Sequence, residues 1–156
     1  MLHHGEPIAL DGPPEPPVLA AGPARRLRPL GRSEAIDLLR SVSLGRVVFT
    51  RSALPAIRAV NHLVDADGNV IIRAALGAAQ LTPAGEVVAY EADVIDPHTH
   101  VGWSVVVTGF ARTVTDPALV AHYERLLQPW IGQELDHIIR VEADIVTGYV
   151  LTPEER

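Results

Sequence analysis

Residues 45–75 read GRVVFTRSALPAIRAVNHLVDADGNVIIRAA, and the fold class turns on how this stretch divides. Gly45–Thr50 (GRVVFT) is short, β-branched and mostly apolar, which predicts a strand. Ala56–Val64 alternates more loosely and reads as the next one. Asp65–Asn69 (DADGN) is turn chemistry, with Gly68 able to take positive φ. Val70–Ala75 then returns as the second arm of the hairpin.

The pattern continues in both directions. Downstream, Gly77–Ala84 is alanine-rich and fits one helical turn or a loop. Val87–Ile95 (VVAYEADVI) reads as a strand, Asp96–Gly102 as a loop containing Pro97, and Trp103–Thr115 as a long strand. Gly109 is the place in that strand where a bulge is expected. Asp116 caps a helix with Pro117 at its first position, running to about Gln128 and ending before Pro129. Ile138–Val141 and Ile145–Leu151 supply the last strands. Upstream, Ser33 is the expected N-cap of a helix over Glu34–Ser41, with Ala35, Ile36, Leu38 and Leu39 at helical spacing. Short turns, rather than regular helices, join most consecutive strands. That pattern favours an antiparallel β-barrel with peripheral helices over a doubly wound α/β sheet.

A chain of 156 residues is expected to be one domain and to bury about two thirds of its surface. Residues 1–25 hold Pro7, Pro13, Pro14, Pro16, Pro17 and Pro23 and read as a flexible tail, leaving residues 26–156 as the folded domain. All 13 basic residues are arginine and there is no cysteine. Lysine Schiff bases, a Walker-A loop, thiol nucleophiles and Cys-ligated metals are therefore excluded. The net charge of -6 argues against a nucleic-acid partner. The first 24 residues lack Lys and Arg and any long apolar run, so neither a secretion signal nor a membrane span is expected, and the expected location is cytoplasmic.

Five segments in order, GRVVFT, PAIRAVNHLVDADGNVIIRAALG, VVAYEADVID, GWSVVVTGFARTVTD and IIRVEADIVTGYVL, carry a resemblance. Together they resemble the pyridoxamine 5′-phosphate oxidase-like family of flavin-binding split barrels, in its actinobacterial-type branch, over roughly residues 26–152. The resemblance implies a six-stranded antiparallel split β-barrel and a homodimer with cofactor sites between the subunits. It implies FMN as cofactor, with the deazaflavin F420 or haem in some relatives, and an oxidoreductase acting on a small-molecule substrate. A non-catalytic binding or carrier protein on the same barrel, with F420, haem or no cofactor, is the alternative.

By the same resemblance, Arg58 meets the flavin phosphate and Arg73 is a second phosphate candidate. The backbone from Ala59 through Val60 to Asn61 would run beside the ring system. Arginine suits the phosphate because its planar fork pairs two oxygens. Gly77-Ala78-Ala79-Gln80 stands where relatives carry a hydroxyl and a basic residue, so Gln80 replaces the usual phosphate ligand. Ser104 is placed at the pyrimidine edge, and Trp103 on the cofactor or across the dimer. His62 is the candidate proton donor. Each also has a plainer reading: Arg58 and Arg73 as ion-pair residues with Glu86, Glu91 or Asp93, Trp103 as core, Asn61 as a strand end, and His62 as a buried histidine bonded to backbone. His98 and His100 form an H-x-H loop with Asp96, and without a third ligand no metal site is assigned. Glu91 and Asp93 share one side of a strand and read as a solvated face.

Overall fold

The computed structural model describes residues 25–75, 85–128 and 136–153. Its elements are β1 (Arg25–Pro29), α1 (Arg32–Arg40), β2 (Leu44–Arg51), β3 (Leu54–Val64), β4 (Val70–Ala74), β5 (Glu86–Ile95), β6 (Gly102–Thr113), α2 (Pro117–Leu126), β7 (His137–Val141) and β8 (Ile145–Pro153). The Gly77–Ala84 segment, with Ala78, Ala79 and Gln80, lies outside the described residues, as do residues 1–24.

The eight strands form one sheet in the order β1-β8-β6-β5-β2-β3-β4-β7, and β6 also pairs with β7. That last pairing closes β2 to β7 into a six-stranded antiparallel barrel, the split barrel expected from the sequence. Closure pairs β6 with β7 and so removes part of the edge that a flat sheet would present, while β3 stays unpaired by β4 before His62. β6 serves two partners along one edge: Gly102–Thr108 pairs with β8, and Ala111–Thr113 pairs with β7. The link from β7 to β8 crosses at Gly109, where a Cβ would lie 1.9 Å from the Glu142 carbonyl oxygen. The expected bulge is absent, since β5 pairs with β6 without a break from Glu86↔Ala111 to Ile95↔Gly102. Gly109 is needed for close backbone approach instead.

Alternation decides what lies inside. Val47, Phe49, Val70, Ile72, Val88, Tyr90, Ala92, Val105, Val107, Ala111, Ile139 and Val141 fill the barrel, and Ala35, Ile36 and Leu39 of α1 join them. A second cluster of Ile71, Val114, Leu127 and Ile138 lies on the other face of β4 and β7, where Val120 and Tyr123 of α2 pack against it. α2 begins as expected, with the Asp116 carboxylate accepting from the N–H groups of Ala118 and Leu119. Gly68 takes φ +86 in the β3–β4 turn.

Two boundaries differ from the expectation. Gly31, not Ser33, is the N-cap of α1, and no side chain caps it. The Leu30 N–H donates to the Gly148 carbonyl at 2.9 Å. That tertiary bond fixes the chain just before Gly31 and starts the helix early. β1 was not anticipated, because Arg25–Pro29 becomes a strand only by pairing with β8 (Arg25↔Pro153 to Pro29↔Tyr149).

Candidate functional site

β3 carries most of the candidate residues, and its alternation divides them. Arg58 lies opposite Val47 and Val60 opposite Gly45, so both share the inward face with His62. Ile57, Ala59 and Asn61 face outward. The Arg58 guanidinium carbon stands 5.7 Å from the centroid of the Phe49 ring, a cation–π distance. Arg58 is half-buried and has no carboxylate partner among the described residues.

The edge of β3 beside Arg58 is open. β4 pairs with β3 only at His62, Leu63 and Val64. The His62 N–H donates to the Ser43 carbonyl at 2.9 Å, so by alternation the N–H groups of Ile57, Ala59 and Asn61 point away from β2. No described strand pairs with β3 at Ile57, Ala59 or Asn61 on that side. A guanidinium and a short row of backbone donors therefore stand together where the barrel splits.

Arg73, the second phosphate candidate, is engaged elsewhere. Its Nε meets the Asp136 carboxylate at 2.8 Å, with side chains 21% and 14% exposed. Its Nη1 donates to the carbonyls of Leu127 at 3.2 Å and Glu124 at 3.4 Å. It thus closes the C-terminal end of α2, where cations are favoured. Arg73 and Arg58 are not brought together.

His62 is 2% exposed and has both ring nitrogens engaged. Nε2 donates to the Leu39 carbonyl at 2.8 Å. Nδ1 must then accept in the neutral ring, and the Tyr90 hydroxyl stands 2.5 Å from it. Burial holds the imidazole below its usual pKa, against the opposing pull of the Leu39 carbonyl. Tyr90 is itself buried, which pushes its phenol above the ordinary range. Gly45 leaves room for that phenol, since a Cβ there would lie 2.4 Å from the Tyr90 oxygen.

On the outer face, Arg46 of β2 meets Glu91 at 3.1 Å and Asp93 at 3.7 Å. The plain solvated reading of the two carboxylates is therefore incomplete. Burial, with the adjacent Asp93 carboxyl, pushes Glu91 up to about 7, while Arg46 opposes the shift. Sequence reasoning saw the Glu91–Asp93 alternation but not Arg46, which arrives from another strand. It also missed Tyr90 and Gly45, although Tyr90 shares the inward parity of Val88 and Ala92.

Ser104 lies opposite Asp93 and Tyr149 on the outer face. Trp103, one residue earlier, packs against the barrel core. The two are on opposite faces of β6. A cleft of about 590 Å³ opens beside this cluster, lined by Arg40, Ser43, Arg46, His62, Val64 and Asp93 among others. The H-x-H loop is closed by Asp96, whose carboxylate accepts from the N–H groups of His98 and Thr99.

Residues 31–155 match the family model described as pyridoxamine 5′-phosphate oxidase. An uncharacterized protein of Mycobacterium tuberculosis is 52% identical over 139 residues, covering 85% of this chain and 91% of that protein. The fold is similar to a candidate pyridoxamine 5′-phosphate oxidase of Corynebacterium glutamicum, at TM-score 0.67 and 34% identity over 80% of this chain and 98% of that one. It is also similar to an FAD-binding protein of Mycobacterium smegmatis, at TM-score 0.61 and 36% identity over 79% of this chain and 98% of that one.

Proposed function

The chain belongs to the pyridoxamine 5′-phosphate oxidase family, and from that premise we propose that it is a homodimeric flavin-dependent oxidoreductase acting on a small molecule. FMN or FAD is the cofactor class, the latter being what the Mycobacterium smegmatis relative is named for binding. The observation that carries the reading is Arg58, a half-buried guanidinium against Phe49 with no carboxylate partner among the described residues. Such a group favours an anion, and a flavin phosphate is one.

The residues present fit the group. Arg58 would hold the phosphate by charge-assisted hydrogen bonds. The N–H groups of Ala59 and Asn61, on the open edge of β3 away from β2, would supply donors for the polar edge of the ring. A bound flavin would supply hydride or electron transfer. Ile57, Val87, Phe110 and Ile145 are exposed large apolar residues. The register places them on one outer sheet surface. That surface suits a self-complementary contact with a second copy.

The non-catalytic binding reading is favoured by one observation: His62 has both nitrogens occupied and no hydrogen left to give the cleft. The test of both is the absorbance spectrum of the purified chain, followed by FMN and FAD titration. Flavin bands near about 370 and 450 nm, or binding on titration, support the flavin site. Absence of both overturns it. Arg58→Ala should weaken flavin binding on the order of tenfold to a hundredfold. Gln80→Lys should strengthen FMN binding. Flavin bound without turnover of any electron donor supports the carrier reading.

A further inference from the structure

The β2–β3 hairpin carries two cations on one face. Its turn has two central residues, Ser52 and Ala53, both at positive φ, the geometry that keeps tightly joined strands in register. Arg51 lies opposite Leu54, Phe49 opposite Ala56, and Val47 opposite Arg58. By alternation all six share the inward face of the hairpin. Phe49 is buried, with the Arg58 guanidinium over its ring and Arg51 two residues further towards the tip.

Among the described residues the neighbouring strands leave this end of the hairpin uncovered. β5 pairs with β2 only from Arg46 to Val48, and β4 pairs with β3 only from His62 onward. Arg51 is exposed and, like Arg58, has no carboxylate partner among the described residues. Glu86 opens β5 on the parity of the buried Val88, and no ion pair joins it to either guanidinium. Arg28, Arg40, Arg46, Arg73, Arg112 and Arg140 each meet a carboxylate instead. Two uncommitted cations facing one way on one hairpin stand apart from that pattern.

We propose that Arg51 is the ligand of a second phosphate, so that the site takes a flavin dinucleotide in preference to the mononucleotide. The inference rests on the flavin reading above. Arg58 stands deeper, beside the open edge of β3, and takes the phosphate nearer the ring. Arg51 stands further out, about 13 Å along the hairpin by strand rise. Two long side chains converging from that separation suit charge spread over two linked phosphates better than charge held on one. Each phosphodiester of a dinucleotide then meets its own guanidinium. Beside Arg51 at the tip is Leu54, apolar and 68% exposed on the same face. Such a side chain covers one face of an adenine. From the barrel outward the order is backbone donors, cation, cation, apolar surface. That is the order of ring, phosphate, phosphate and adenine in the dinucleotide.

The test compares FAD with FMN on the full chain, by mass spectrometry of the flavin it carries when purified and by competition titration of the two. FAD should bind at least about tenfold more tightly than FMN. Arg51→Gln should weaken FAD by about tenfold to a hundredfold and FMN by less than about threefold, which collapses the preference. Arg58→Ala should weaken both flavins. Arg26→Gln, the same change of charge on β1, should move neither. Arg51 lies at an exposed hairpin tip, so the urea midpoint of Arg51→Gln should match the wild type, which separates lost binding from lost fold. Equal affinity for FAD and FMN in the wild-type chain, or an Arg51→Gln variant that keeps the preference, overturns the second-phosphate assignment alone. Failure to bind either flavin overturns the flavin reading itself, and this subsite with it.

Discussion

The Tyr90 hydroxyl stands 2.5 Å from Nδ1 of His62, while Nε2 of the same ring donates to the Leu39 carbonyl. β5, β3 and the last turn of α1 are thereby tied through one buried imidazole. The carbonyl can only accept, so it fixes the proton on Nε2 and leaves Nδ1 to receive the phenol. The arrangement is a pin between barrel wall and helix, and it orders the wall of the cleft.

Tyr90→Phe should therefore lower stability by about 1–3 kcal/mol, because it leaves a buried nitrogen without a donor. Urea unfolding checks this. Flavin titration of the same variant should change much less, since the hydroxyl points into the barrel.

Gly45→Ala should be destabilising by about 1–3 kcal/mol through overpacking. The added methyl would meet the Tyr90 oxygen at 2.4 Å and the Glu91 carbonyl at 2.5 Å, and backbone cannot move aside cheaply. The double variant Gly45→Ala with Tyr90→Phe should recover part of the loss, which a thermal melt reads.

Arg58→Ala and Arg73→Ala should separate binding from stability. Arg58→Ala weakens flavin binding with little change in the unfolding midpoint. Arg73→Ala leaves the mostly buried Asp136 carboxylate without its guanidinium and the end of α2 uncapped, for a loss of about 2–4 kcal/mol. Equal effects of the two on stability would contradict the assignment.

His62 should make the fold acid-sensitive. Its folded pKa lies below the unfolded value. Its contribution is therefore present above about pH 6.5 and lost as pH falls through the folded pKa. Glu91 acts in the opposite sense, favouring the folded state as pH falls through about 7. Urea midpoints of His62→Gln and Glu91→Gln across about pH 5 to 8 separate the two slopes.

Much of the barrel was legible along the chain. The DADGN turn, the cap at Asp116 with Pro117 and the alternation in VVAYEADVI are local signals, set by backbone sterics and side-chain period. They act within a few residues, so reading them needs no knowledge of the fold. β1 was not legible, because RRLRP has no intrinsic strand pattern and gains its partner from β8.

For the site, the residue types were visible and their company was not. The sequence alone determined the strand order of candidates, the absence of lysine and cysteine, the family resemblance, and that Arg58 and Arg73 were the arginines to weigh. Only the tertiary structure decided that Arg73 turns to Asp136 and α2 while Arg58 stays without a carboxylate. It alone set Arg46 against Glu91, and Tyr90 against His62. The physical reason is range: propensity and period act over a few residues, whereas burial, ion pairing and pKa depend on which distant strand lies alongside.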